Sequence, residues 1–176
     1  MYSIKSNNKF YQNKIYDFLL QKKIPILLDS QIKIFGELNL EFFDKKLKIH
    51  FNDDNLIFDL PLDIENFFRQ IYNLLSDNYI QVGNLKYYPI KELVLNKDLS
   101  INLRNTHNLI FNQALINNHR GIPKIDLYSL IWPSDFNIQI NKLDTHLTNL
   151  KTLLREKLNY DFKFISNQGK IKFLLD

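Results

Sequence analysis

Four leucines near the end of the chain constrain its fold more than any other sequence feature. Leu143, Leu147, Leu150 and Leu154 follow one another at spacings of four, three and four residues. That spacing places all four side chains on one side of an α-helix, as a stripe that must pack against other apolar surface. The sequence therefore predicts a long helix over 141–158 that lies on a hydrophobic core.

The rest of the chain alternates between helix and strand signals. Apolar residues at helical spacing predict further helices, at 9–21, 63–75, 106–117 and 124–131. Alternating or short continuous apolar runs predict strands, at 24–29, 38–42, 47–51, 56–58, 79–82, 85–88, 93–95 and 99–103. A last hairpin covers 162–174, and Asp63 is expected to cap helix 63–75. This mixture of strands and helices predicts an α+β protein.

Charge is distributed unevenly along the chain. The 176 residues include 23 basic and 19 acidic side chains, a formal net charge of +4. Residues 1–78 hold 10 basic and 11 acidic side chains, a net of −1, whereas 79–176 hold 13 and 8, a net of +5. Together with the turn at Ser76-Asp77-Asn78, this asymmetry predicts two domains, 1–78 and 79–176. A basic second domain favours a polyanionic partner.

Missing residue types exclude several functions. Because cysteine is absent, the chain has no disulfide framework, iron–sulfur cluster, cysteine-rich zinc site or cysteine nucleophile. The histidines do not occur at metal-ligand spacing, and no glycine-rich phosphate loop or nucleophile elbow is present. We therefore expect no enzyme activity, metal, other cofactor or small-molecule substrate. With neither a long apolar run nor a signal-peptide region, the expected location is cytoplasmic, without a membrane partner.

The polar side of helix 141–158 is the candidate binding surface. It carries side chains that can donate hydrogen bonds and carry no negative charge, namely Thr145, His146, Thr148, Asn149, Lys151, Thr152 and Arg155. The one acidic residue on the middle turns of helix 141–158 is Asp144. A helix that enters the DNA major groove needs short polar groups for base edges and cations for phosphates. The alternative interpretation is an ordinary solvated helix face.

Three motifs in the last hundred residues, together with the strands predicted between Tyr79 and Leu103, match a known family in order and spacing. Asp144-Thr145-His146-Leu147-Thr148-Asn149-Leu150-Lys151 fits the pattern Asp-x-His-(Ile/Leu)-x-x-Leu-(Arg/Lys). Ile131-Trp132 ends the preceding helix, and Gly169 lies at the hairpin turn before the final strand. Residues 79–176 thereby resemble the effector domain of OmpR/PhoB-type response regulators of bacterial two-component systems. The resemblance implies a winged helix-turn-helix with a leading antiparallel β-sheet.

The resemblance also implies which residues bind double-stranded DNA. By position, His146, Thr148, Asn149 and Lys151 would lie against the major groove, and Thr152 and Arg155 continue the same helical surface. In the wing, 162–174, the DNA-binding residues would be Asn167, Gln168 and Lys170. Two departures lower the number of arginines, because Asn149 stands where the family commonly has arginine and Lys170-Ile171 replaces Tyr-Arg. We therefore expect weaker or more AT-tolerant recognition than in a typical member.

Residues 1–78 resemble a receiver domain less closely. The segment from Pro61 to Ile71 is similar to a receiver's closing segment, but Leu60 occupies the place of the usual lysine. Asp29 follows a short apolar run, yet no acidic pair precedes it to hold Mg²⁺, so we expect no phosphorylation there. Two interpretations stay open: a degenerate, truncated receiver-like unit used for homodimerisation, or an unrelated small β-rich unit ending in one helix.

The expected function is a DNA-binding transcriptional regulator of the response-regulator type, not controlled by phosphorylation. Helix 141–158 would be its recognition helix. The alternative is a winged-helix protein–protein interaction module that has lost DNA binding.

Overall fold

The computed structural model describes residues 2–21, 26–28 and 36–175. It divides the chain into two compact units, Met1–Tyr79 and Ile80–Asp176, one residue beyond the boundary expected from the sequence. The described residues form five helices and twelve strands, so the chain is α+β as predicted. Within these residues, no helix combines the length and apolar content that a membrane span requires.

The described residues of the first unit form a five-stranded mixed sheet and two helices. Its elements are β1 (Tyr2–Ser6), α1 (Lys9–Gln21), β2 (Ile26–Leu28), β3 (Gly36–Phe43), β4 (Lys46–Phe51), β5 (Asp54–Asp59) and α2 (Ile64–Ser76). The strand order is β2-β1-β3-β4-β5. Strand β1 runs parallel to both β2 and β3, whereas β3, β4 and β5 form antiparallel hairpins.

The helices of the first unit pack on the sheet through alternating apolar side chains. Ile4, Leu38, Leu47 and Ile49 are fully buried. Helix α1 packs against β1 and β2, and α2 packs against β5. The predicted cap of α2 is confirmed, because the Asp63 carboxylate accepts a hydrogen bond of 3.1 Å from the Asn66 amide.

The strands of the first unit are connected in two different ways. Parallel strands need crossover connections, usually helices, and among the described residues α1 lies between the parallel strands β1 and β2. Strands β3, β4 and β5 are joined instead by tight turns, in which Asp44, Lys45 and Asn52 have positive φ. Both interpretations of residues 1–78, the receiver-like unit and the small β-rich unit ending in one helix, stay predictions. Asp29 lies outside the described residues.

The second unit combines two antiparallel sheets with three helices. Its elements are β6 (Ile80–Val82), β7 (Leu85–Tyr88), β8 (Leu93–Asn96), β9 (Leu99–Asn102), α3 (Thr106–Ile116), β10 (Ile122–Pro123), α4 (Lys124–Ile131), α5 (Ile140–Leu158), β11 (Lys163–Asn167) and β12 (Lys170–Leu174). Strands β6 to β9 form one sheet in sequence order, and β10-β12-β11 form the other. Helix α5 packs against α3, α4 and β9.

The leucine stripe of α5 lies in the core of the second unit. Leu143, Leu147, Leu150 and Leu154 are fully buried, and Leu158 continues the stripe by one turn. The helix ends at Asn159, which is left-handed with φ 51°. The Asn96 side chain donates a hydrogen bond of 2.6 Å to the Leu158 carbonyl, so the end of α5 is also held by the four-stranded sheet.

Candidate nucleic-acid interface

Opposite its leucine stripe, α5 exposes a row of small polar side chains. Thr145, Thr148, Asn149 and Arg155 are exposed, and Thr152 is half-buried. The Thr145 hydroxyl donates to the Asn141 carbonyl over 2.8 Å, and the Thr148 hydroxyl donates to the Asp144 carbonyl over 2.9 Å. Each hydroxyl proton is thus used within the helix, which leaves oxygen lone pairs that can accept hydrogen bonds from a ligand.

His146 lies on the flank of α5 rather than on this exposed face. Its ring is half-buried, with its centroid 5.4 Å from that of Trp132 and 5.9 Å from that of His107. The Nδ1 atom of His146 is buried and has no hydrogen-bond partner. The half-buried His146 ring thus lies beside Trp132 and His107, whereas Thr148 and Asn149 are exposed to solvent.

Lys151 lies on the opposite flank of the helix. Its ammonium group is 3.9 Å from Oδ1 of Asp161, and both side chains are partly solvent-exposed. An exposed ion pair of this length contributes little free energy. The Lys151 side chain can therefore leave Asp161 at small cost.

The three candidate residues of the last hairpin lie together at an exposed turn. Asn167, Gln168 and Lys170 are all exposed. Gln168 and Gly169 have φ of 47° and 75°, the positive values that a two-residue hairpin turn of this kind requires. The Lys124 amide donates a hydrogen bond of 2.8 Å to the Gly169 carbonyl, which ties the turn to the start of α4.

Alternation along the hairpin separates cations from core residues. Lys170 and Lys172 are exposed. Ile171, which lies between them, and Phe173, which follows, are fully buried. Lys163 on the paired strand is exposed as well. The hairpin thus carries three exposed ammonium groups over an apolar inner side.

Sequence reasoning missed the partner of Asp144. The Lys124 ammonium donates to both carboxylate oxygens of Asp144, over 2.6 and 2.9 Å. Asp144 therefore forms an ion pair that joins α4 to α5. This pair compensates the negative charge on the middle turns of α5. Because the partners are 20 residues apart in sequence, no local pattern could have identified it.

The connection between α4 and α5 is held by Asp135. Its carboxylate accepts hydrogen bonds from the Tyr128 hydroxyl and, over 3.1 Å, from the Lys142 ammonium. The bond from Tyr128 and then that from Lys142 lower the pKa of Asp135 below its ordinary value. The Lys142 ammonium also lies 4.3 Å from the Trp132 ring centroid. Although Asp135 holds the connection between α4 and α5, Phe136 in that connection is 97% exposed.

No protein-family model and no curated protein sequence matches the chain. Among solved structures, the chain is similar to the C-terminal domain of the nisin resistance regulator NsrR, a lantibiotic response regulator. The similarity has 22% sequence identity and a TM-score of 0.41. It covers 54% of this chain and 93% of that domain.

Proposed function

We propose that the chain is a DNA-binding transcriptional regulator whose second unit acts as a winged helix. Helix α5 would lie in the major groove, and the β11–β12 hairpin would reach the adjacent minor groove or backbone. The observation that carries this proposal is the two-sided character of α5. One side buries a continuous leucine stripe, and the other exposes hydroxyl, amide and guanidinium groups together with one carboxylate, that of Glu156. Regulation by phosphorylation is not expected, since no acidic pair precedes Asp29.

The exposed groups of α5 suit base edges. An asparagine side chain can bind adenine through two hydrogen bonds, and threonine can contact either a base edge or the thymine methyl group. Asn149 and Thr148 are exposed neighbours on the middle turns of α5. This pair favours A·T-containing sites over the guanine contacts that arginine would make.

The phosphate contacts would come from cations at the edge of this surface. Arg155, Lys170 and Lys172 are exposed and have no ion pair among the described residues. Binding of such groups to phosphates releases counterions, so affinity must fall as salt rises. His146 would act indirectly by packing α5 against Trp132, and direct base contact is assigned to Thr148 and Asn149.

A salt series on the full chain tests the proposal. We expect log affinity for an AT-rich duplex to fall linearly with log salt concentration. Arg155→Ala and Lys170→Ala should each make the slope shallower by about one, because each removes one phosphate contact. The matched control is Lys97→Ala, an exposed cation at the β8–β9 turn, which should leave the slope unchanged. Absence of binding at low salt, or equal effects of all three variants, would refute the proposal.

A second candidate function is a protein-interaction module. It is favoured by exposed apolar side chains on α4 and the following connection, at Ile125, Leu130, Phe136 and Ile138. Within the described residues, α5 itself exposes no large apolar side chain. Self-association that Phe136→Ser abolishes, together with no duplex affinity, would support this second function.

A further inference from the structure

The first unit contains an apolar groove that the proposed DNA-binding function does not use. It lies between α1 and the segment that connects β5 to α2, and its volume is about 430 Å³. Ile15 and Phe67, both buried, form its floor. Phe18, Leu60 and Leu62 line its walls. Small-molecule sites are typically concave, largely apolar and roughly 300–1,000 Å³ in volume.

The groove is built on side chains that are fixed by core packing. Phe67 contacts Phe58 with ring centroids 5.1 Å apart, so the floor continues the core of the sheet. The Asp63 cap fixes the start of α2 next to the groove. At the rim, Tyr11 stacks on Phe42 with centroids 4.6 Å apart and planes 18° apart. The site is therefore preformed, which lowers the ordering cost of binding.

The rim of the groove is apolar except for two hydrogen-bond donors. Phe10 and Ile64 at the rim are 66% and 51% exposed. Lys14 and Tyr11 carry the polar side-chain groups among the lining residues, and no acidic side chain lines the groove. In the part of the chain that the structure describes, neither group has an ion pair or a side-chain hydrogen bond. The Lys14 ammonium instead lies 5.9 Å from the Phe10 ring centroid.

These features together specify the chemistry of an occupant. Contact between an apolar ligand and the floor and walls of the groove would favour binding. Such contact removes apolar surface of both the ligand and the protein from water. A head group that accepts hydrogen bonds and carries negative charge would complement the Lys14 ammonium and the Tyr11 hydroxyl. A carboxylate meets both requirements and forms short, charge-assisted hydrogen bonds with such donors.

We infer that this groove binds an amphipathic carboxylate of the fatty-acid class. Its carboxylate binds at Lys14 and Tyr11, and its hydrocarbon chain lies against Phe18, Leu62 and Phe67. The inference concerns the first unit alone and does not depend on DNA binding by the second.

Calorimetric titration of the full chain with octanoate tests the inference, with octan-1-ol as the uncharged ligand of equal chain length. We expect saturable one-to-one binding of octanoate, and binding of octan-1-ol about tenfold weaker. Lys14→Gln should weaken octanoate binding about tenfold and leave octan-1-ol binding unchanged, because one charge-assisted hydrogen bond is lost. Lys14→Arg should retain most of the affinity. The matched control is Lys46→Gln, an exposed cation of the same unit that does not line the groove.

A filling substitution supplies an independent test. Leu62→Trp should block octanoate, and thermal unfolding should show that the variant still folds. If it does not fold, the Lys14→Gln and Lys14→Arg pair decides the question. Equal affinity for octanoate and octan-1-ol, an unaffected Lys14→Gln variant, or no saturable binding would overturn the inference. A dimer that Leu62→Trp dissociates, without octanoate binding, would instead identify the groove as a contact between two copies.

Discussion

His107 and His146 face each other where α3 packs against α5. Their ring centroids are 5.9 Å apart, and both rings are half-buried. Burial lowers the pKa of His107, and the positive charge that His146 can carry lowers it further. The Trp132 ring also lies near His146, with ring centroids 5.4 Å apart.

This arrangement predicts that acid destabilises the second unit through His107. Since the pKa is lower in the folded state, the unfolded chain binds more protons as pH falls below the ordinary histidine value of about 6.5. The free energy of unfolding should therefore fall between about pH 7.5 and about pH 5.5, above the range where most carboxylates titrate. In His107→Gln this pH dependence should be smaller, as measured by urea unfolding at both pH values.

The control for this prediction is another histidine of the same unit. His119 is exposed and has a φ of 62°, a value that asparagine also tolerates, so His119→Asn should fold normally. It should keep the pH dependence of the wild type. A His107→Gln variant that loses as much stability on acidification as His119→Asn would contradict the assignment.

Helix α5 has one side that packs in the core and an opposite side that is proposed to bind DNA. Substitutions on the first side should change stability, and substitutions on the second side should change duplex affinity. Leu147→Ala removes fully buried side-chain volume and should lower the free energy of unfolding by about 2–5 kcal/mol. Thr148→Ala alters an exposed position and should change it by less than about 0.5 kcal/mol. Under the proposed function, Thr148→Ala should still weaken duplex binding. Chemical denaturation and duplex titration of both variants measure the two effects, and a Thr148→Ala variant with wild-type duplex affinity would count against the major-groove assignment.

Elements with long, strong periodicity could be predicted from sequence, and short ones could not. The bounds predicted for α5 from the leucine stripe agree with the structure to within one residue at each end. A long helix repeats its buried positions many times, which makes the pattern easy to recognise. Strand β1 was missed, because Ser3 between Tyr2 and Ile4 is also fully buried and breaks the alternation. Strand β10 has only two residues and exists through its pairing with β12.

Side-chain contacts between distant residues could not be predicted at all. The ion pair between Lys124 and Asp144, and the packing of His146 on Trp132, depend on how α4 and α5 cross. The groove of the first unit joins residues near 10–18 to residues near 60–67. The polar residues on the outer side of α5 were predictable, because burying the leucine stripe leaves the opposite side facing solvent.

Across the whole chain, the excess of positive over negative charge lies in the second unit. Residues 1–79 hold 10 basic and 11 acidic side chains, and residues 80–176 hold 13 and 8. The net +5 of the second unit is modest and mostly lysine, so we expect a moderate, salt-sensitive affinity for DNA rather than tight arginine-driven binding. The near-neutral first unit, with its apolar groove, suits a different class of ligand.

The most direct test of the central claim is a map of backbone amide chemical shifts in ¹⁵N-labelled full chain titrated with an AT-rich duplex at low salt. We expect the largest changes in residues 145–155 and in the hairpin turn at 167–170. Amides of the sheet over 85–102 should change little. Absence of changes at low salt, or changes confined to residues 125–138 around Phe136, would contradict the claim that α5 and the last hairpin form a DNA-binding surface.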